Sequence, residues 1–262
     1  MPELPDVERF KSYLDATSLH QAIESVEIND SKTLEDVTPR KLRKELKGRA
    51  FESTSRHGKF LFVRREAPPL LVLHFGMTGY LDYALNEREP PPHSRTVFHF
   101  ATGYRLAYVC QRKLGLITLC DDQRAFVEQR GLGPDALDEE LTRQVFVERV
   151  SGRRGAVKTT LMNQAIVAGI GNVYADEILF QAGIGPGRGI DSLDEKTLRK
   201  LYHTMRRVLK TVIRNNADVS QLPRTYLLPQ REEDGQCPRC GRELRKTTVS
   251  GRGTYFCAHC QE

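Results

Sequence analysis

The chain has 262 residues, 39% hydrophobic and 28% charged, the balance of an ordinary globular protein with room for two modest domains, or one with appendages, and a core that needs no disulfides. No apolar run approaches the length needed to cross a bilayer as a helix, which sets aside a membrane-spanning segment and a membrane partner. A formal charge of +6 and a pI near 9.0 are compatible with a polyanionic partner.

The opening, Met1-Pro2-Glu3-Leu4-Pro5-Asp6-Val7-Glu8, carries acidic groups rather than a basic flank and an apolar run. It does not read as a signal peptide, so the cytoplasm is the expected compartment. Residues 3–15 have a helical pattern with acid in the first turn, where the helix dipole favours it. Eight short runs follow, mostly β-branched, aromatic or aliphatic: 26–28, 51–53, 60–63, 70–73, 80–83, 96–100, 105–108 and 116–119. Turn signals such as Ala67-Pro68-Pro69, Pro90-Pro91-Pro92 and Thr102-Gly103 separate several of them, which predicts a sandwich or barrel. Cys110 and Cys120 sit in apolar surroundings and are expected to be buried, unreactive thiols.

Gly131-Leu132-Gly133-Pro134-Asp135 marks a boundary, and the chain beyond it is helical. Helices are predicted over 139–150, 158–166 and 172–182, the last after the glycine-rich turn Ala168-Gly169-Ile170-Gly171. The clearest spans 192–215, with Leu198, Leu201, Tyr202, Met205, Val208, Leu209, Val212 and Ile213 at helical spacing and Ser192 with Glu195 as a capping box. A polar stretch, 216–236, leads to the late cysteines. Arg153, Arg154 and Lys158 form one basic cluster and Arg239, Arg242, Arg245, Lys246 and Arg252 another, the footprint expected for phosphate binding.

Cys237, Cys240, Cys257 and Cys260 form C-x2-C-x16-C-x2-C. Each pair places two thiolates on one side of a tight turn, and two such turns complete a tetrahedron around Zn2+. Two disulfides or a redox pair would use the same residues; a cytoplasmic chain favours zinc. Residues 247–250 and 254–256 read as short strands, giving a zinc ribbon. Four protein ligands close the metal's shell, so a single zinc is expected to be structural.

Proline in second position permits removal of Met1, which would leave Pro2 with a free secondary amine. Such an amine can attack an aldehyde-like carbon and form an iminium, with Glu3 beside it to move protons. A proline that merely precedes a helix is the plainer reading of the opening alone.

The whole order of features weighs against the plainer reading. Pro-Glu-Leu-Pro, a β-rich region, helices around Gly-Ile-Gly-Asn-Val-Tyr-Ala-Asp-Glu and a four-cysteine ribbon together resemble the formamidopyrimidine-DNA glycosylase / endonuclease VIII family over essentially the full length. Leu4 resembles the formamidopyrimidine branch. The resemblance implies an α+β protein: an N-terminal β-sandwich with a leading helix over 1–130, a linker at 131–137, a helix-two-turn-helix domain over 138–222 and a zinc ribbon over 223–262. It implies a base-excision-repair DNA glycosylase with abasic-site lyase activity, acting on damaged double-stranded DNA as a monomer in a bacterial-type cytoplasm.

By the same resemblance Pro2 is the Schiff-base nucleophile, Glu3 the general acid/base and Lys59 a hairpin lysine that contacts phosphate and assists base release. Met77 fills the gap left by a flipped nucleotide, and Arg112 pairs with the orphaned opposite base. Asn172, at a helix start, and Lys158 hold phosphate. Arg252, near the ribbon tip, grips phosphate, with zinc supplying stiffness. Glu177 reads as structural.

Three departures stand out. Asp6 replaces a Glu. Leu114, in Gln111-Arg112-Lys113-Leu114-Gly115, stands where the family has a wedging Phe. Residues 216–236 are shorter than in the formamidopyrimidine branch, so the loop that closes over oxidised guanine reads as shortened or absent. Strand cleavage at abasic sites needs no base and should survive. The competing readings are an endonuclease VIII-like enzyme preferring oxidised pyrimidines, a lyase alone, and a non-catalytic damaged-DNA-binding protein.

Overall fold

The computed structural model describes all 262 residues, which divide into two compact units. The first holds residues 1–2 and 6–130, the second residues 3–5 and 131–262.

Helix α1 (Leu4–Ser18), which belongs to the first unit from Asp6 onward, leads into strand β1 (Ile23–Ile28). Helix α2 (Pro39–Leu46) follows, then β2 (Ser53–His57), β3 (Phe60–Arg64), β4 (Leu70–His74), β5 (Gly79–Leu85), β6 (Ser94–Phe100), β7 (Tyr104–Cys110), β8 (Leu116–Cys120) and helix α3 (Gln123–Gln129). Two four-stranded antiparallel sheets form, in orders β1-β6-β7-β5 and β2-β3-β4-β8. One core joins them: Leu61, Val63, Leu71 and Leu73 of the second sheet share it with Phe98, Phe100, Leu106 and Tyr108 of the first. The sandwich is therefore as expected.

The alternation in β3 and β4 explains why their sequences read as unbroken apolar runs. Leu61 and Val63 face the sandwich core, while Phe62, Leu70 and Val72 pack on the opposite side with Phe126 of α3. Arg130 closes this layer, its guanidinium 4.9 Å from the Phe126 ring centroid.

In the second unit, helices α4 (Arg143–Val150), α5 (Val157–Met162), α6 (Asn172–Ala182) and α7 (Glu195–Arg214) surround a core in which Leu201, Met205, Val208 and Leu209 of α7 meet Ile178 and Leu179 of α6. Strands β9 (Arg245–Val249) and β10 (Arg252–Phe256) make the antiparallel ribbon hairpin.

Several local expectations need correction. The helix placed at 139–150 starts only at Arg143, because the Thr142 hydroxyl caps Val145 N–H at 3.2 Å and Asp138 folds the preceding residues into a turn. The helix placed at 158–166 stops at Met162, where Asn163 accepts the Ala165 N–H at 3.0 Å. The Ser192–Glu195 capping box does not form. Asp194 accepts Thr197 N–H at 2.8 Å, and the Ser192 hydroxyl donates to Gly189 O instead. The strand expected at 51–53 begins at Ser53. The stretch 131–137 is seated against the helical unit: Gly133 N–H donates to Gln164 O at 2.8 Å and Ala136 is buried.

Candidate functional site

Glu3 is fully buried, and its carboxylate closes the start of α6. It accepts from Gly171 N–H at 2.7 Å, Val173 N–H at 2.9 Å and Tyr174 N–H at 3.3 Å. Unpaired amides and the positive end of the helix dipole both favour an anion there. Two glycines make the seat. Gly169, at φ +112°, lets the chain pass Leu4, whose own N–H donates to Gly169 O at 3.0 Å. A Cβ at Gly171 would strike the Glu3 carboxylate itself. The expectation that this helix start holds phosphate is thus corrected for its backbone, since three of its amides are given to Glu3. Pro2, half-buried, is the residue next in chain to that carboxylate.

In the first unit, Gly58 and Lys59 form the two-residue turn between β2 and β3, with Gly58 at φ +57°. Arg56 braces the turn by donating to Gly58 O at 3.0 Å and to Glu8 of α1 at 2.8 Å. His74 ends β4 opposite Phe60, with ring centroids 4.9 Å apart. Burial, together with the charge of Lys59, pushes its imidazole down to about 4. The ring is therefore neutral near pH 7, and Nδ1 accepts the Gly76 N–H at 3.3 Å, which leaves Nε2 as the donor. Sequence reasoning passed over His74; a histidine at a strand end before the Gly-Met-Thr-Gly turn was the available signal.

Met77 and Arg112 lie on the neighbouring turns β4–β5 and β7–β8. Arg112 N–H donates to the Thr78 hydroxyl at 3.2 Å, and Gly76 packs so closely on the Leu114 backbone that no Cβ would fit. Met77 and Leu114 are 39% and 55% exposed, so two apolar side chains flank an exposed arginine. Lys113 anchors this edge by pairing with Asp30 at 2.6 Å, which holds the Asp30 carboxyl below its usual range.

In the second unit, the four cysteine sulfurs lie within 4.8 Å of one another. Cys237–Cys260 are separated by 3.8 Å and Cys240–Cys257 by 3.6 Å. A tetrahedron with zinc–sulfur bonds of about 2.3 Å has edges of about 3.8 Å, so the thiolates fit one structural zinc. Arg252 is exposed at the start of β10. Asn172 is half-buried and its amide donates to Gly253 O at 3.0 Å. Lys158 is corrected: its side chain is 1% exposed, and its ammonium lies 2.7 Å from Asp176 and donates to the Thr254 hydroxyl at 2.7 Å. That ammonium has no face to offer a phosphate. Glu177 is structural as expected, accepting Leu228 N–H at 2.8 Å, and burial pushes its carboxyl up to about 7.

The sandwich, the helical region and the ribbon each match a known domain. The family model of the formamidopyrimidine-DNA glycosylase N-terminal domain matches residues 1–117, that of the formamidopyrimidine-DNA glycosylase H2TH domain residues 132–223, and the zinc finger found in FPG and IleRS residues 236–262. The architecture is that of a β-sandwich, helix-two-turn-helix and zinc-finger protein. Formamidopyrimidine-DNA glycosylase of Symbiobacterium thermophilum is 36% identical over 273 residues, covering 100% of this chain and 89% of that one. That of Bacillus subtilis is 33% identical over 279 residues, covering 100% and 99%. The Lactococcus lactis enzyme bound non-covalently to DNA containing an AP site superposes with a TM-score of 0.91 at 29% identity, covering 99% of both chains. The chain belongs to the formamidopyrimidine-DNA glycosylase family.

Proposed function

We propose that this protein is a base-excision-repair DNA glycosylase and abasic-site lyase that works through the amine of Pro2. The observation that carries the reading is the Glu3 seat: a buried carboxylate held by three backbone amides, one residue from the proline. With Met1 removed, the Pro2 nitrogen attacks C1′ of the damaged nucleotide and the C1′–base bond breaks, the base leaving with its bonding electrons and a proton. Ring opening gives an iminium, which acidifies the C2′ hydrogens. Loss of one of them expels the 3′ phosphate and cuts the strand. Glu3 is the group placed to shuttle these protons.

The remaining residues are assigned to the DNA. Lys59 and the neutral His74 serve the phosphates beside the lesion, and Arg252 and the Asn172 amide the flanking backbone. Met77 enters the space left by the extruded base, with Leu114 beside it and Arg112 at the opposite base. Zinc supplies no chemistry to the reaction; it holds the ribbon in shape. The cytoplasm is the compartment we assign, because the relatives are bacterial and act on DNA.

The lesion class assigned is oxidised bases; one observation keeps an oxidised pyrimidine as the second reading. The segment that would supply a purine-capping loop is drawn into the protein interior: Leu222, Tyr226 and Leu228 join the helical core, and Gln181 ties down Thr225 O at 2.9 Å.

Borohydride trapping tests the whole reading. Met-trimmed protein is offered duplexes carrying an abasic site, an oxidised pyrimidine or 8-oxoguanine. Covalent trapping on the abasic duplex, lost in Pro2→Gly while binding persists, is the expected result. Binding without trapping on any duplex would leave a non-catalytic damaged-DNA-binding protein.

A further inference from the structure

Asp176 lies one turn into α6, on the helix whose first amides hold Glu3, and it is 1% exposed. Three groups converge on its carboxylate. Lys158 of α5 forms an ion pair at 2.7 Å, though without the alignment of a hydrogen bond. Arg231 donates through Nε at 2.9 Å, and Tyr255 N–H of β10 donates at 3.2 Å. A buried carboxylate between two cations is an expensive arrangement to build, and costly to break by removing one member. Burial pushes the Asp176 carboxyl up and the Lys158 ammonium down, while each charge opposes the shift in the other.

The cations do not stop at Asp176. Lys158 continues to the Thr254 hydroxyl at 2.7 Å and to Gly253 O at 3.4 Å. Arg231 reaches Gly253 O at 3.4 Å and lies over the Tyr255 ring, 5.0 Å from its centroid. Asn172 donates to the same Gly253 carbonyl. Every one of these contacts falls on the residues directly following Arg252. The zinc ligands sit elsewhere in the ribbon, in a separate small core with Phe180, Leu227 and Leu244.

We propose that Asp176 is a positioning residue for DNA binding: through Lys158, Arg231 and the Tyr255 amide it fixes the ribbon hairpin to the helical domain, and so sets where Arg252 meets the phosphate backbone. Zinc shapes the cysteine end of the ribbon, which Phe180, Gln181 and Ile184 hold to the helical domain; Asp176 fixes the β10 side of the hairpin next to Arg252. The basic residue Lys158 contributes to DNA binding through this clamp, without touching phosphate. The proposal rests on the reading of Arg252 as a phosphate contact given above.

The test uses full-length, zinc-loaded protein with Asp176→Asn, the milder Arg231→Gln, Arg252→Ala, and Asp176→Asn combined with Arg252→Ala. Three quantities are measured: zinc per chain, hydrogen exchange at the Tyr255 amide without DNA, and the salt dependence of binding to a duplex carrying a tetrahydrofuran abasic analogue. Asp176→Asn and Arg231→Gln should keep one zinc and speed Tyr255 exchange. Asp176→Asn should lower the slope of log binding constant against log salt by about 1, the share of one phosphate contact. Arg252→Ala should lower it equally, and the double variant should fall no further. A general loss of structure would instead add to the Arg252 effect, and additivity overturns the proposal. Unchanged Tyr255 exchange in both single clamp variants also overturns it, since the hairpin would then be held by something else. An unchanged slope in Arg252→Ala overturns the phosphate reading and the proposal with it, and the exchange data then show that the attachment itself was sound.

Discussion

His74 gives the most direct check on the electrostatics of the first unit. Its half-buried imidazole packs on Phe60 and faces the charge of Lys59, and loss of water contact and that charge together hold it at about 4 against 6.5 in an open chain. The folded protein thus refuses a proton that the unfolded chain accepts. Its contribution to stability is complete above pH 6.5 and is lost as the pH falls toward 4. At about 1.4 kcal/mol per pKa unit, the swing is about 3 kcal/mol. His74→Gln removes the titration. Denaturant unfolding followed by tyrosine emission, in a chain with nine Tyr and no Trp, should show wild type losing about 2 kcal/mol more than the variant between pH 6.5 and 4.5, the part of the full swing that this window covers. Acid loss of zinc is common to both proteins and cancels in the difference. Imidazole nitrogen shifts supply the direct measurement. A His74 resonance that titrates at pH 6 or above would refute the reasoning, because neither burial nor Lys59 would then be acting on the ring.

Gly171→Ala should displace the Glu3 carboxylate, because the new methyl would occupy its place, and so lower the single-turnover rate about a hundredfold while zinc content and far-UV circular dichroism stay at wild-type values. A wild-type rate would show that the seat does not serve the reaction. Chelating the zinc should leave four thiolates within 4.8 Å of one another with nothing to hold them, so amides of β9 and β10 should exchange freely while those of the sandwich strands stay protected. Protection of the ribbon after verified metal loss would count against that coupling. Burial and the neighbouring Asp122 and Asp121 push the Cys120 thiol up to about 11, which leaves about one part in a thousand as thiolate at pH 8. Iodoacetamide should therefore modify it far more slowly than free cysteine, despite its partial exposure, as mass spectrometry of timed digests would record.

Most strands of the sandwich were legible because they run along a core face, and β3 and β4 are covered on both; β2, none of whose residues is fully buried, was met only at Ser53. The two short helices α2 and α3 were not. Helix α2 commits only Leu42 and Leu46 to the core and α3 only Phe126, too few to set up a period, although Thr38 before Pro39 was a readable helix start. The zinc ligands could be read because four cysteines at that spacing have few other uses. Lys158 was misread for the opposite reason. A lysine in a basic cluster normally faces water, and nothing nearby in sequence reveals Asp176, eighteen positions on, as the group that draws it inward. Glu3 was legible as a candidate, but its seat was not, because the amides that hold it lie at residues 171–174.

That separation bears on the order in which the protein comes into being. Under the reading proposed here, trimming Met1 exposes a reactive amine while most of the chain is still on the ribosome. The carboxylate beside it has nowhere to settle until Gly169–Tyr174 has been synthesised, released from the exit tunnel and wound into the start of α6. A nascent chain or a truncated product therefore carries the nucleophile without its proton shuttle. Dependence on a contact this distant in sequence slows the final assembly of the site. It also means that the power to cut DNA arrives only with the domain that would hold it to its target.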